Sequence, residues 1–300
     1  MEIRYLKHNE IDIPKWDRCI KKSVNGTIYG YSWFLDIVSK EWDALVDEKY
    51  ETVMPITYKE IAGIRIFIQP PYATNLGVYS VNVLEESIVD AFASKIPGNF
   101  RYIRINLNKF NKIASQFFKV KRGKVYELDL IRPYAKITAR YSEKVKRALK
   151  EGAENRISVV GGMNSVDLIS LYLKEKGFLW KLLFRERIKK IRMIIAAAVK
   201  YRVGKIYGAY TRENNLCAAG LFVWSHQKIF FLAFGIDKVG KKERALEILI
   251  DEFIKLNAEQ NATLRFEYSS QSRYAHMYSG FGGKKYEFIR LRKYNFPFNL

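Results

Sequence analysis

Cysteine, histidine and long apolar segments are all scarce in this sequence. Its 300 residues include 2 cysteines and 3 histidines, and Cys19 and Cys217 have neither the spacing of a metal site nor that of a disulfide framework. Unpaired thiols of this kind fit a reducing compartment. The longest apolar run, residues 194–199, is far shorter than the roughly 20 residues that cross a bilayer. We therefore expect a cytoplasmic protein without a transmembrane segment or a metal site.

The few histidines are isolated from one another and from candidate nucleophiles. His8, His226 and His276 belong to no Ser-His-Asp or Cys-His pattern, and such a pattern is what activates a covalent nucleophile. Covalent catalysis is therefore not indicated by the sequence.

Acidic residues are also in the minority. Lys and Arg total 52 against 31 Asp and Glu, which gives a formal net charge of +21. This excess indicates an anionic partner, such as a phosphate-bearing cofactor, an anionic glycan precursor, a nucleic acid or a membrane surface touched peripherally. A soluble protein from a lysine-rich proteome is the alternative. The basic residues are scattered along the chain without a block, which argues against DNA.

The chain is long enough for two globular domains, and its pattern repeats once. Hydrophobic residues make up 48% and charged residues 28%, a globular composition. Both halves show an antiparallel, hairpin-rich region, a long helix, a strand, a shorter helix and a closing strand. With a connector at residues 133–139, we predict an α/β protein of two duplicated domains, residues 1–132 and 133–300, which should superpose.

Local patterns in these halves give specific expectations. We predict a helix within residues 28–42, a weak helix at 111–117 and a hairpin at 118–130 around Gly123. Ser142 is a good N-cap for a helix over residues 143–151, which Gly152 should end.

Residues 229–283 form the most informative stretch. A strand at 229–234 leads into a basic turn at 235–242, and then come a helix, a strand at 263–268 and a short helix around 273–279. The first of these helices has apolar residues at helical spacing, at positions 245, 246, 249, 250, 253, 254 and 258. A helix N-terminus offers free N–H groups and a partial positive charge to a phosphate. The candidate phosphate-binding residues are Lys238, Gly240, Lys241, Lys242 and Arg244. An exposed basic turn that merely precedes a helix is the alternative.

Other candidate residues carry charge or amide groups. Glu267, in a predicted central strand, would have a raised pKa if buried alone and would suit a general base; a paired structural carboxylate is the alternative. Arg147 either binds a phosphate or lies on a solvated helix face. Residues that could line a substrate cleft between the domains, or simply pack, are Trp33, Gln69, Tyr72 and Asn75.

Two motifs resemble known transferases. Residues 275–282, Ala-His-Met-Tyr-Ser-Gly-Phe-Gly, are similar to the closing motif of GNAT N-acetyltransferases, whose tyrosine protonates the leaving thiolate; Tyr278 occupies that position. Residues 141–152 resemble the helix that opens the second domain of Fem-type peptidoglycan aminoacyltransferases. The whole layout is similar to that of uncharacterised Fem-like, GNAT-related bacterial proteins. The resemblance implies two tandem GNAT-like domains, each a twisted mixed sheet flanked by helices.

The resemblance also implies a reaction. An acyl group would move from acyl-CoA, or an aminoacyl group from aminoacyl-tRNA, to an amine on a small-molecule, glycan or peptide acceptor. The amine would attack directly, backbone N–H groups of a splayed strand would stabilise the oxyanion, and no tightly bound cofactor is implied. Residues 238–242 have Lys in place of the Gln or Arg of the CoA loop and lack its final small residue. Fem-type proteins have also lost that loop and use aminoacyl-tRNA.

The alternative function is a catalytically inactive GNAT-like module that binds an anionic ligand. The position of Tyr278 relative to the basic turn discriminates between the two functions, because an enzyme needs both at one open cleft.

Overall fold

The computed structural model describes residues 2–114, 117–176, 185–267 and 272–295. Gly177, which we expected to end a helix, and Tyr268, which we expected to end a strand, lie outside the described residues. The chain forms two compact units. Unit 1 comprises Met1–Lys124 and Tyr286–Leu300, and unit 2 comprises Val125–Lys285.

Helices and strands alternate along both units. The described helices are α1 (Ile13–Lys22), α2 (Ser32–Val38), α3 (Glu86–Ser94), α4 (Tyr134–Thr138), α5 (Glu143–Glu154), α6 (Ser165–Lys176), α7 (Arg185–Lys200), α8 (Lys238–Lys242), α9 (Ala245–Leu256) and α10 (Ser272–Gly280). The described strands are β1 (Ile3–Leu6), β2 (Glu41–Asp47), β3 (Thr52–Ile61), β4 (Ile64–Ile68), β5 (Tyr79–Ser80), β6 (Phe100–Asn106), β7 (Lys119–Asp129), β8 (Ser158–Gly161), β9 (Gly204–Tyr210), β10 (Leu216–Ser225), β11 (Lys228–Ile236), β12 (Thr263–Phe266) and β13 (Lys284–Tyr294). None of the described helices is long and apolar enough to span a bilayer.

The sheet of unit 1 is mixed, with one parallel strand pair among antiparallel pairs. Strands β1, β2, β3 and β4 pair antiparallel in that order, β4 pairs with β6 in parallel, and β13 closes on β6 antiparallel. The short β5 pairs with β3. Helix α3 precedes β6, and its Val89 and Phe92 are buried in the core with Phe67 and Ile103.

The sheet of unit 2 follows the same plan. Strands β8, β9, β10 and β11 pair antiparallel, β11 pairs with β12 in parallel, and the second part of β7 closes on β12 antiparallel. Helix α9 precedes β12 just as α3 precedes β6. The shared strand order is what a duplication predicts, and superposition of the two units stays a prediction.

The units divide differently from the predicted domains 1–132 and 133–300. The division falls inside β7, between Lys124 and Val125, and residues Tyr286–Leu300 belong to unit 1. The reason is strand pairing: β7 supplies the closing strand of the unit 2 sheet, and β13 supplies that of unit 1.

Local sequence signals placed several elements correctly. The Ser142 hydroxyl accepts a hydrogen bond from the Val145 N–H at 3.3 Å, so it caps α5 as predicted. The apolar residues predicted to form one face of α9 are all buried, namely Ala245, Leu246, Leu249, Ile250, Phe253 and Ile254. Burial of such a face supplies most of the stability of a helix in a folded protein.

Other expectations were only partly right or were wrong. The helix predicted within 28–42 is present as α2, but it is shorter than expected, because Trp42 lies in β2. The described part of 111–117 contains no helix. The predicted hairpin at 118–130 is instead the single strand β7, Lys119–Asp129. A Cβ at Gly123 would overlap the Phe288 ring, so the glycine permits this ring to pack closely against the strand.

Gly152 does not end α5, which continues to Glu154. A Cβ at Gly152 would lie 2.5 Å from Cγ1 of Ile248 on α9. The glycine therefore permits close packing of α5 against α9, and this packing brings the two helices together at the site described next.

Candidate functional site

A cavity of about 550 Å³ opens in unit 2 where α5, α8, α9 and α10 meet the end of β11. Its lining residues are Ser142, Lys144, Val145, Arg147, Ala148, Glu151, Ile236, Lys241, Arg244, Leu246, Glu247, Tyr274, His276 and Met277. The cavity is large enough for part of a cofactor-sized molecule.

The cavity lies beyond the point at which two parallel strands stop pairing. Residues Lys228–Phe231 of β11 pair with Thr263–Phe266 of β12. Strand β12 ends there, whereas β11 continues to Ile236 at the cavity wall. Crevices at the carboxyl ends of parallel strands are common ligand sites in α/β folds.

Three of the predicted anion-binding residues meet in this cavity. Arg147 comes from α5, Lys241 from α8, and Arg244 from the junction between α8 and α9, where its φ of 62° is left-handed. Lys144 and His276, which the sequence analysis did not select, line the same cavity. The packing of three elements, and not a single loop, therefore assembles the cations.

The predicted basic turn at 235–242 is mostly regular structure. Residues 235 and 236 extend β11, and Lys238–Lys242 form the short helix α8. Asp237 caps this helix, because its carboxylate accepts the Gly240 N–H at 2.8 Å. Gly240 is buried, and its N–H is satisfied within the protein. The side chains of Lys238 and Lys242 are exposed and do not line the cavity.

Two carboxylates, those of Glu151 and Glu247, lie among these cations, and neither was predicted from the sequence. Glu151 Oε2 is 2.7 Å from Arg244 Nε. Glu247, in the first turn of α9, is half-buried, and burial raises its pKa although Arg244 and its own backbone N–H act in the opposite direction. A Glu three residues after a basic residue on the same helix was the available sequence signal.

Asp251, one turn after Glu247, ties α9 to the segment that precedes α5. Its two carboxylate oxygens accept hydrogen bonds from the hydroxyls of Tyr134, at 2.8 Å, and Tyr141, at 2.9 Å. Burial raises the pKa of Asp251, and the two tyrosine hydrogen bonds only partly offset it. Burial beside this carboxylate raises the pKa of Tyr134 and of Tyr141. The cluster fixes the start of α5 at the cavity rim.

The two predicted catalytic residues lie apart from the cavity lining. Tyr278 on α10 is fully buried, and its ring stacks on Phe266 with centroids 4.4 Å apart. Glu267 is 1% exposed, and its Oε1 accepts from Nε of Arg265 at 2.8 Å. Arg265 Nη1 is also 3.9 Å from Glu127 on the adjacent β7. Glu267 thus takes part in a buried ion-pair cluster, as expected for a paired structural carboxylate.

The four predicted cleft residues belong to unit 1, and two of them fasten a loop. The Gln69 side chain donates to the Ala73 carbonyl at 2.7 Å and accepts the Asn106 N–H at 2.9 Å. Asn75 Nδ2 donates to the carbonyl of Leu107 at 2.9 Å. Tyr72 adopts a left-handed φ of 70° in the same loop, and Trp33 packs against its neighbour Phe34 with rings 5.5 Å apart.

The described residues offer neither a metal site nor a reactive thiol. No group of three or more His, Cys, Asp or Glu side chains among them is arranged to hold a metal ion. Cys19 and Cys217 are both buried free thiols. Burial raises the pKa of each thiol to about 12, which disfavours the nucleophilic thiolate.

Neither a protein-family model nor a curated protein matches this sequence. Solved structures do match over nearly the whole chain. FemX is 11% identical with a TM-score of 0.64, covering 96% of this chain and 97% of its own. L-PGS from Bacillus licheniformis is 8% identical with a TM-score of 0.56, covering 96% and 93%. A tandem GNAT protein from the clavulanic acid biosynthesis pathway is 10% identical with a TM-score of 0.50, covering 99% and 100%.

These similarities and the duplicated strand order agree with the fold that the sequence motifs implied. The chain therefore has a tandem fold similar to that of FemX and of the tandem GNAT protein.

Proposed function

We propose that the protein transfers an acyl or aminoacyl group from a phosphate-bearing donor to an amine, and that the cavity of unit 2 holds the donor's phosphates. The observation that carries the proposal is the convergence of five cationic or titratable side chains on one cavity, beyond the point at which β11 and β12 stop pairing. These side chains are Arg147, Lys241, Arg244, Lys144 and His276. Charge-assisted hydrogen bonds to phosphate are stronger than neutral ones, and the adjacent first turn of α9 adds a favourable dipole.

The reaction needs no covalent enzyme intermediate. The amine nitrogen attacks the carbonyl carbon of a thioester or ester, and the new C–N bond forms as the C–S or C–O bond breaks. The amine loses a proton to a base, and the leaving sulfur or oxygen gains one. Tyr278 is our proposed proton donor. Binding both substrates in one orientation supplies a large part of the rate acceleration.

We favour a small donor, such as acyl-CoA, over aminoacyl-tRNA. The cavity gathers cations at one place, whereas a tRNA would contact many phosphates along a surface. Counterion release makes tRNA binding fall steeply with salt, whereas a donor with few phosphates loses little affinity. Titrating acetyl-CoA, a longer acyl-CoA and a charged tRNA at low and moderate salt separates the two classes.

Loss of two cavity cations is expected to weaken donor binding. In the double variant Arg147→Ala/Lys241→Ala, acetyl-CoA should bind about tenfold or more weakly, since each charge-assisted hydrogen bond contributes roughly 1.5–3 kcal/mol and each 1.4 kcal/mol is tenfold. Isothermal titration calorimetry measures this directly.

The chain offers a matched control for that double variant. Lys238→Ala/Lys242→Ala also removes two positive charges, from exposed positions of α8 outside the cavity. It should change acetyl-CoA affinity by less than about twofold, because exposed charges at a distance are screened. Equal losses in both variants would show that net charge, and not this cavity, determines binding.

A binding module without activity is the second candidate, and the placement of Tyr278 favours it. Lys241 lines the cavity, but the fully buried Tyr278 does not. A catalyst would have to open the region around Tyr278, whereas a binding module would not. Release of free CoA thiol from acetyl-CoA in the presence of amine-bearing peptides, followed with a thiol reagent, tests for turnover. Saturable acetyl-CoA binding without thiol release would support the binding module.

A further inference from the structure

The cavity of unit 2 contains its own anions. Glu151 Oε2 lies 2.7 Å from Nε of Arg244, and the two side chains are 50% and 40% exposed. A guanidinium binds phosphate best through two parallel N–H bonds. A phosphate that uses this face of Arg244 must therefore displace the Glu151 carboxylate or share the guanidinium with it.

Glu247 adds a second negative charge to the same space. It follows Arg244 by three residues and is half-buried in the first turn of α9. The charged and titratable groups that line the cavity around it are Lys144, Arg147 and Glu151 of α5, Lys241 of α8, Arg244, and Tyr274 and His276 of α10. A half-buried carboxylate near a bound phosphate repels it, because the surrounding protein screens the two charges less than bulk water does.

We propose that Glu151 and Glu247 are internal competitors for the cavity cations and that they select polyanionic phosphate groups over single carboxylates. This inference rests on the proposed function, in which the cavity holds the donor's phosphates. A monocarboxylate can form with Arg244 only the kind of ion pair that Glu151 already forms. A pyrophosphate carries more charge, so it can replace Glu151 and still gain interactions with Arg147 and Lys241.

Glu151→Gln is expected to tighten inorganic pyrophosphate binding. Ion pairs between partly exposed groups contribute up to about 1 kcal/mol, so the gain should be roughly twofold to fivefold. Acetate should gain more than pyrophosphate, because its binding depends on Arg244 alone, and the selectivity for pyrophosphate should therefore fall. Glu154→Gln is the matched control, since Glu154 lies on α5 outside the cavity lining and its loss should change neither affinity. Calorimetric titration of the full chain with each anion gives both values.

The outcomes distinguish this inference from the proposed function. Unchanged or weaker pyrophosphate binding by Glu151→Gln, with normal binding by the parent, overturns the competition alone. Pyrophosphate binding that is insensitive to Arg147→Ala/Lys241→Ala overturns the cavity as the phosphate site. Binding by neither the parent nor Glu151→Gln overturns both.

A pH series tests Glu247 separately, with sulfate as the probe because its charge is constant over the range. Burial raises the pKa of Glu247, so lowering the pH from about 8 to about 5 should neutralise it progressively and tighten sulfate binding. His276 is present in the parent and in the variant alike, so the comparison cancels its contribution. Glu247→Gln should therefore bind sulfate about twofold to fivefold more tightly than the parent near pH 8, and the difference should shrink near pH 5.

Glu252→Gln is the control for that series, because Glu252 lies on α9, pairs with Lys255 at 3.6 Å and does not line the cavity. If the difference in sulfate affinity between the parent and Glu247→Gln is the same at every pH, Glu247 does not compete for the cavity cations.

Discussion

Tyr278→Phe is expected to lower turnover by about 10²–10⁴-fold while donor affinity stays nearly constant, because a general acid acts only in the transition state. Phenylalanine keeps the ring stacked on Phe266 and removes only the hydroxyl. The loss would therefore be chemical, with little change in the free energy of unfolding. Steady-state kinetics of thiol release, paired with calorimetric titration of acetyl-CoA, measures the two quantities separately.

Tyr274→Phe is the comparison that makes this experiment decisive. Tyr274 lies one turn earlier on α10, lines the cavity and stacks towards Tyr278 with ring centroids 6.4 Å apart. It loses the same hydroxyl from the same helix. A large loss of turnover in Tyr274→Phe with normal turnover in Tyr278→Phe would identify Tyr274 as the proton donor. It would refute that role for Tyr278.

Arg265→Met is expected to lower the free energy of unfolding by about 3–5 kcal/mol, the cost of leaving buried charge uncompensated. Arg265 lies between Glu267 on its own strand and Glu127 on β7, at 2.8 and 3.9 Å. All three side chains are at most 3% exposed, so water cannot replace the guanidinium. Urea denaturation of the parent and the variant measures the difference.

Two further variants define the cause of that loss. Arg212→Met removes an arginine from an exposed position and should cost less than about 0.5 kcal/mol. Adding Glu267→Gln to Arg265→Met removes one of the stranded carboxylates and should restore part of the stability. A loss below about 1 kcal/mol in Arg265→Met, or no recovery in the double variant, would contradict this account.

Elements fixed by local interactions could be predicted from the sequence. The cap by Ser142 and the apolar face of α9 depend on residues within a few positions of one another, and both were correct. Gly123 and Gly152 were interpreted as local breaks, but their roles depend on Phe288 and Ile248, which are distant in sequence. Nothing in the neighbouring residues distinguishes a glycine required by a turn from one required by close packing.

The candidate site could also be predicted only in part, because some of its residues are brought together by packing between distant segments. The motif order led to Lys241, Arg244 and Arg147, and the structure places all three in one cavity. The two carboxylates Glu151 and Glu247 enter that cavity through the packing of α5 on α9, which no local pattern specifies. The pairing of Glu267 with Arg265 was accessible, because residues two apart on a strand share a face.

The exchanged closing strands affect the order in which the protein can be completed during synthesis. All of unit 2, Val125–Lys285, precedes the segment 286–294 that closes the sheet of unit 1 on β6. Domains usually finish folding in the order in which they emerge from the ribosome. Unit 1 is synthesised first, but the edge of β6 stays uncovered until unit 2 and then β13 have been synthesised. An uncovered strand edge is a template for pairing with other chains, so the nascent protein is most exposed to misassembly late in translation.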